Sequence, residues 1–351
     1  MQMRRTTGII LLLFVFLSTV RADEPDKYIP KTKRKQEKLA TSEPGSYLKP
    51  SANYALKKIN RFLDDSTLKK PAPWIVGLFT PPQKKVTDTI LSFNDLEVSV
   101  RVYYPSGKSM NRVHPLTIFY HGGGFVLGSV EDYHSMASKL ARVTGQIIVS
   151  VDYRLAPEHP YPAAVKDCYA VLQWIQHYGS KLGADTTRIT VMGDSAGGNL
   201  ATVMTLKCHD QKRPQPYRQV LLYPAVTLMD KEYPSMIHYM QNTDRRYVLS
   251  ETFCMRVRRE YIGNVGNDRD RYISPLETEL SDDLAPALII AAECDPLRDS
   301  ERAYAKKLKA AGVQVNYMEY SGMIHAFMSF PMLINDARDA MKEVRDYLCE
   351  N

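Results

Sequence analysis

The chain has 351 residues, 44% hydrophobic and 24% charged, with a formal net charge of +7; that length holds one large catalytic domain or two smaller ones. Residues 1–22 carry Arg4, Arg5 and Arg21 and no acid, so the chain from Asp23 onward holds only +4, too mild a charge to argue for a nucleic-acid partner. The five cysteines, Cys168, Cys208, Cys254, Cys294 and Cys349, are scattered with no Cys-x-x-Cys pair, which argues against a zinc site and leaves at least one thiol outside any intramolecular disulfide.

At the N-terminus, Arg4 and Arg5 precede the uncharged apolar run Ile9–Val20, and Val20-Arg21-Ala22 offers small residues for cleavage. This is the layout of a secretory signal peptide over residues 1–22. It implies export, to a periplasm or to the medium. The alternative is an uncleaved membrane anchor, but the run would span only about 18 Å as a helix, against a hydrocarbon core of ~30 Å. The basic run Lys31-Thr32-Lys33-Arg34-Lys35 reads as a solvated stretch, since an exported chain would not use a nuclear signal. Residues 23–84 are charged, carry a helical amphipathic pattern over Tyr47–Leu63, and become Pro-rich at Pro71, Pro73, Pro81 and Pro82.

The strand pattern begins near Val86. In Leu96–Tyr104, Leu96, Val98, Val100 and Val102 alternate with Glu97, Ser99 and Arg101, and Asn94-Asp95 predicts a hairpin turn between two antiparallel strands. Short apolar strands then follow at Leu116–Tyr120, Ile147–Val151, Arg188–Met192, Gln219–Tyr223, Ala287–Ala292 and Gln314–Tyr320. Helical patterns separate most of them, including Tyr161–Tyr178, Ala196–Cys208, Asp299–Ala311 and Pro331–Leu348. Apolar strands alternating with helices predict an α/β fold with a mostly parallel sheet covered on both faces. The rhythm breaks over about 225–273, where eight Lys/Arg and seven Asp/Glu lie in a polar, partly helical stretch. That stretch reads as a cap inserted into the catalytic domain of residues 85–351.

The pattern Gly193-Asp194-Ser195-Ala196-Gly197 joins the strand Arg188–Met192 to the helix beginning at Ala196. A serine in such a strand-turn-helix is pushed out at the strand top beside the helix N-terminus, and is a candidate nucleophile. A serine hydroxyl needs a base, and the base needs an anion to orient it. Three of the eight histidines follow Ser195. His209 lies about 21 Å farther along the same helix and cannot reach; His238 falls in the cap; His325 follows the last strand, where ligand sites of α/β sheets gather. Asp295 directly follows the strand ending in Glu293-Cys294 and precedes Pro296, which favours a turn. Glu293 competes with it but reads as part of the strand, and Asp299 reads as a helix N-cap. The order Ser195, Asp295, His325 is that of α/β hydrolases. Upstream, His121-Gly122-Gly123-Gly124 follows a strand and can turn backbone N–H groups toward an oxyanion. Gly123, Gly124 and Ala196 are the candidate donors, with His121 fixing the loop and Asp194 structural.

Together, His121–Gly124, Gly193–Gly198, Asp295-Pro296-Leu297 and His325-Ala326-Phe327 resemble the hormone-sensitive-lipase family of α/β hydrolases, as does Asp152–Glu158. The resemblance covers about residues 86–351. It implies an eight-stranded α/β-hydrolase fold and a helical cap built from residues 23–84 and the 225–273 insertion. It also implies a carboxylesterase acting on small acyl esters of short or medium chain, with no cofactor and no metal. Asp152–Glu158 is expected to support the site structurally. An amidase, deacetylase or lipase would use the same three side chains. A ligand-binding receptor of this fold would have lost the histidine, and His325 is present. The cap is the surface where a peripheral lipid contact would fall, and the sequence specifies no oligomeric state. If residues 1–22 are a cleaved signal, the chain purified from an export-competent host will begin at Asp23 by intact mass; retention of residues 1–22 would make the segment an anchor.

Overall fold

The computed structural model describes residues 48–63, 85–105, 112–228, 233–240, 248–263 and 267–350, all within the compact unit Ser42–Asn351. The signal-peptide segment 1–22, the basic run 31–35 and the prolines at 71–82 lie outside the described residues.

The first described element is helix α1 (Pro50–Leu63). The hairpin β1 (Val86–Phe93) and β2 (Leu96–Tyr103) follows. Asn94 and Asp95 both adopt positive φ, 49° and 62°, the conformation that a two-residue hairpin turn requires to match strand twist. Then come β3 (His114–Tyr120), α2 (His134–Thr144), β4 (Ile147–Val151), α3 (Ala163–Tyr178), β5 (Ala184–Asp194), α4 (Ala196–Asp210) and β6 (Arg218–Leu222). The insertion carries α5 (Pro234–Met240) and α6 (Glu251–Val257), and the chain returns as β7 (Ala287–Cys294), α7 (Arg298–Ala310), β8 (Val315–Ile324) and α8 (Asn335–Cys349). The strands form one eight-stranded sheet in the order β1-β2-β4-β3-β5-β6-β7-β8. β2 is antiparallel to both β1 and β4, and every other pair is parallel. This is the α/β-hydrolase sheet expected from the sequence.

Alternate residues of the apolar strands feed two cores. Ile118, Val149 and Ile289 point into one with α3 and α4; Phe119, Ile148 and Ile290 point into the other with α2 and α8. A two-residue side-chain period on a sheet buried on both faces requires this division. Ala52, Ala55 and Leu56 of α1 join the second core, and the Lys49 N–H donates to the Gly322 carbonyl at 3.1 Å.

Three differences from the sequence reading have local causes. β5 begins at Ala184 rather than Arg188, because its ladder with β3 carries an irregularity on the β5 side that lets His114 pair with Ala184. β8 continues to Ile324 past an irregularity opposite Ala292 and Cys294. Helix α2 is absent from the helical patterns of the sequence reading; only Met136 and Leu140 are large apolar side chains on its buried face, among Ala137, Ser138, Ala141 and Thr144. All five cysteines are free thiols. Among the described residues no helix is long and apolar enough to cross a membrane, and no group of three or more His, Cys, Asp or Glu could hold a metal ion.

One buried carboxyl stands out. Glu301 in α7 is fully enclosed, and neither carboxylate oxygen has a hydrogen-bond partner. Burial, reinforced by Asp295 and Glu319, pushes its pKa well above the usual value, against the pull of Arg298 and Arg302. A carboxyl whose folded pKa is raised contributes most to stability below its unfolded pKa and loses that contribution as pH rises. Glu301→Gln should therefore raise Tm by roughly 2–4 °C at pH 8 and by less at pH 5, measured by thermal melts at both pH values.

Candidate active site

Ser195 stands between β5 and α4 with φ 53° and ψ −117°, a strained backbone for a residue with a Cβ. The strain is held in place by its surroundings. Its N–H donates to the Leu222 carbonyl of β6 at 2.9 Å, and its carbonyl accepts from Asn199 and Ala225. Strand and helix meet backbone to backbone around it. A Cβ on Gly197 would collide with the Tyr120 carbonyl, and one on Gly193 with the Gly197 carbonyl. Only glycine permits that approach.

His325 follows β8 and reaches Ser195. Its Nε2 lies 2.9 Å from Ser195 Oγ, and its Nδ1 lies 2.6 Å from Asp295 Oδ2. A carboxylate can only accept, so with Asp295 ionised Nδ1 carries the ring proton and Nε2 accepts from the serine hydroxyl. Asp295 is fully buried and His325 is 3% exposed. The second carboxylate oxygen accepts the Leu297 N–H at 2.9 Å, which fixes the direction of the carboxylate. Tyr223 sets its ring edge against the imidazole at 5.1 Å. The structure thus brings together the three residues singled out in the sequence.

The competitors point elsewhere. Glu293 belongs to β7, and its carboxylate accepts from Ser321 Oγ and the Gly322 N–H, both at 2.7 Å. Asp299 is not the N-cap of α7. Leu297 occupies that position, and the Asp299 carboxylate instead accepts the Ser235 N–H at 2.8 Å and pairs with Arg298 and Arg302. The helix starts one residue earlier than its sequence suggests, because the Asp295 turn leads straight into it. His209 pairs with Asp283 on the surface.

The glycine loop lies beside Ser195. Gly123, Gly124 and Phe125 all have positive φ, 115°, 64° and 63°. A Cβ on Gly124 would sit 2.5 Å from Val257 Cγ2 and 3.0 Å from Phe253 Cζ of α6, so the insertion packs directly on this loop. Tyr261, just beyond α6, stacks on Phe125 at 3.8 Å. His121 stacks on Tyr153 at 4.2 Å, and its Nδ1 lies 2.8 Å from the Gly122 carbonyl. Burial lowers its pKa, so it stays neutral and braces the loop. Arg154 in the Asp152–Glu158 stretch clamps Asp167, and Ala156 donates to the Phe125 carbonyl.

Asp194 fastens the loop to the serine turn. Its carboxylate accepts the Gly122 N–H at 2.8 Å and the Tyr133 hydroxyl at 2.9 Å. The sequence carried no local sign of Tyr133 or Ser235; Tyr133, for example, lies 61 residues from Asp194, and only the fold makes them neighbours. Burial pushes the Asp194 pKa up to about 6, partly offset by the Tyr133 and Gly122 donors. Its contribution to stability is complete below about pH 4, the unfolded value, and is lost as pH rises through about 6. Asp194→Asn keeps an acceptor for Gly122 and cannot ionise, so urea titrations should show wild-type stability falling relative to this variant between pH 4 and 6. Asp194→Ala leaves both donors unpaired and should cost about 1–3 kcal/mol for each.

With this geometry in place, comparison with known proteins is informative. Residues 117–329 match the family model described as alpha/beta hydrolase fold. The chain is 35% identical to the esterase LipI of Mycobacterium tuberculosis over 260 residues, 74% of this chain and 80% of that protein. It is 36% identical to the carboxylesterase NlhH of the same organism over 264 residues, again 74% and 80%. The solved hyperthermophilic esterase from the archaeon Pyrobaculum calidifontis superposes with a TM-score of 0.79 at 34% identity, covering 86% of this chain and 98% of that one. Shared fold, family match and esterase relatives over most of the chain lead to one conclusion: this protein belongs to the hormone-sensitive-lipase-like α/β hydrolases and is a carboxylic ester hydrolase.

Proposed function

We propose that the chain is a serine carboxylesterase that cleaves short- to medium-chain acyl esters through an acyl-enzyme. The observation that carries this reading is the buried line from Ser195 Oγ to His325 Nε2 at 2.9 Å and from His325 Nδ1 to Asp295 Oδ2 at 2.6 Å. Ser195 Oγ attacks the ester carbonyl as His325 Nε2 takes its proton. Asp295 stabilises the imidazolium and holds the ring in the required tautomer. The carbonyl π electrons move to oxygen, giving a tetrahedral oxyanion. Gly123, Gly124 and Ala196 are assigned as its N–H donors. Supporting this, the Gly122 N–H is taken by Asp194, which anchors the start of the glycine loop next to the serine turn. The Ala196 N–H is in the first turn of α4, where amides lack partners within the helix. Collapse of the intermediate breaks the bond to the alcohol oxygen, which leaves with the proton from His325. Water, deprotonated by His325, then attacks the acyl carbonyl and releases the acid and free Ser195.

Ala225, Leu249 and Leu297, with Met236, Phe253 and Cys254 against them, join the serine turn and the acid loop to the insertion, which supports reading the insertion as the cap. Ser195→Ala should lower kcat on p-nitrophenyl butyrate by at least about 10⁴-fold and abolish labelling by a fluorophosphonate; wild-type rates would remove Ser195 as nucleophile. Across p-nitrophenyl esters from acetate to palmitate, kcat/KM should peak at or below about eight carbons. A peak at palmitate would make the protein a lipase, and faster turnover of arylacetamides would make it an amidase.

A further inference from the structure

The segment that carries Asp295 is weakly held by its own sheet. Near the end of β7 the ladder slips: Ala292 pairs with Tyr320, but Cys294 pairs with Ile324. Two residues of β7 therefore span four of β8, and Glu293 falls in the gap. Its side chain satisfies the displaced Ser321 and Gly322. Its carbonyl has to find a partner outside the regular pairing.

The insertion supplies one partner, beside Arg298 Nη1 of α7 at 3.4 Å. Tyr239 of α5 donates its hydroxyl to the Glu293 carbonyl at 3.2 Å. One turn earlier on the same helix, Ser235 Oγ donates to the Pro296 carbonyl at 2.8 Å and accepts the Asp299 N–H at 3.2 Å. The Ser235 N–H returns to the Asp299 carboxylate at 2.8 Å. Ser235 is fully buried and Tyr239 is 1% exposed. The two contacted carbonyls lie on either side of Asp295, two residues before it and one after.

We infer that α5 of the insertion sets the position of the acid, with Ser235 and Tyr239 as positioning residues that act on catalysis through Asp295. The inference rests on the proposed Ser195–His325–Asp295 mechanism. The carboxylate accepts a 2.6 Å bond from His325, and a displacement of a few tenths of an ångström at its backbone weakens that bond directly. Such a loss falls on the transition state, where the imidazolium forms, and not on ester binding. Two of the insertion's attachments differ in kind. α6 packs against the glycine loop through Phe253 and Val257, whereas α5 is hydrogen-bonded to the acid loop.

The test is a double-mutant cycle on p-nitrophenyl butyrate hydrolysis. Ser235→Ala and Tyr239→Phe should each lower kcat roughly fivefold to fiftyfold with KM changed less than twofold, and Ser235→Thr, which keeps the hydroxyl, should restore most of the loss. Asp295→Asn alone should lower kcat by about 10⁴-fold. Added to Asp295→Asn, Ser235→Ala should have almost no further effect, because its route to catalysis is already cut. If Ser235→Ala multiplies the loss in the Asp295→Asn background, the effect does not pass through Asp295 and the inference is overturned. A change in KM without kcat would overturn it too. If Asp295→Asn leaves kcat near wild type, the failure lies in the underlying mechanism. Thermal melts of each variant accompany the rates, and a kcat loss that merely tracks Tm across all variants counts against positioning.

Discussion

The site depends on a contact with no room for a side chain. Helix α4 begins so close to β3 that Gly197 lies against the Tyr120 carbonyl, and Gly193 against Gly197. This approach lets the chain reverse at Ser195 with positive φ, so that the side chain leaves the top of β5. The same approach brings the end of β3, and therefore His121–Gly124, alongside the serine. Ser195 and the glycine loop are neighbours because two glycine backbones replace a layer of side chains.

Around that contact the parts are joined by buried polar groups. Asp194 ties the loop to the serine turn, Tyr133 ties α2 to Asp194, and Asn199 donates to the carbonyls of Ala225 and Ile273. Each such group loses hydration on burial and recovers it only when the geometry is right. The network therefore favours one arrangement over nearby ones. Its cost is visible at Asp194, whose carboxyl is pushed up to about 6 by burial.

His325 and Asp295 arrive differently. Both stand at C-terminal ends of neighbouring parallel strands, β8 and β7, where α/β sheets collect their sites. Parallel pairing alone places their loops on the same side as Ser195. The slip between β7 and β8 then carries β8 onward to Ile324, so His325 emerges opposite the Asp295 turn. An irregularity in the sheet sets the approach of the two side chains, and the insertion meets the acid loop where the regular ladder ends.

The local pattern was enough to read the class of fold, most strands, the hairpin at Asn94-Asp95 and the candidates Ser195, Asp295 and His325. These features rest on side-chain period, on turn chemistry and on residues standing at strand ends. Their signals sit within a few positions of the residue concerned. Helix α2 escaped because only Met136 and Leu140 are large on its buried face, and Asp299 was misread because its carboxylate serves a helix 64 residues away. The distances between the three candidates, the role of Tyr133, and the grip of Ser235 and Tyr239 on the acid loop were decided only by tertiary structure. A hydrogen bond between distant segments depends on where the sheet register and the packed cores place their backbones, and no local stretch of sequence encodes that placement.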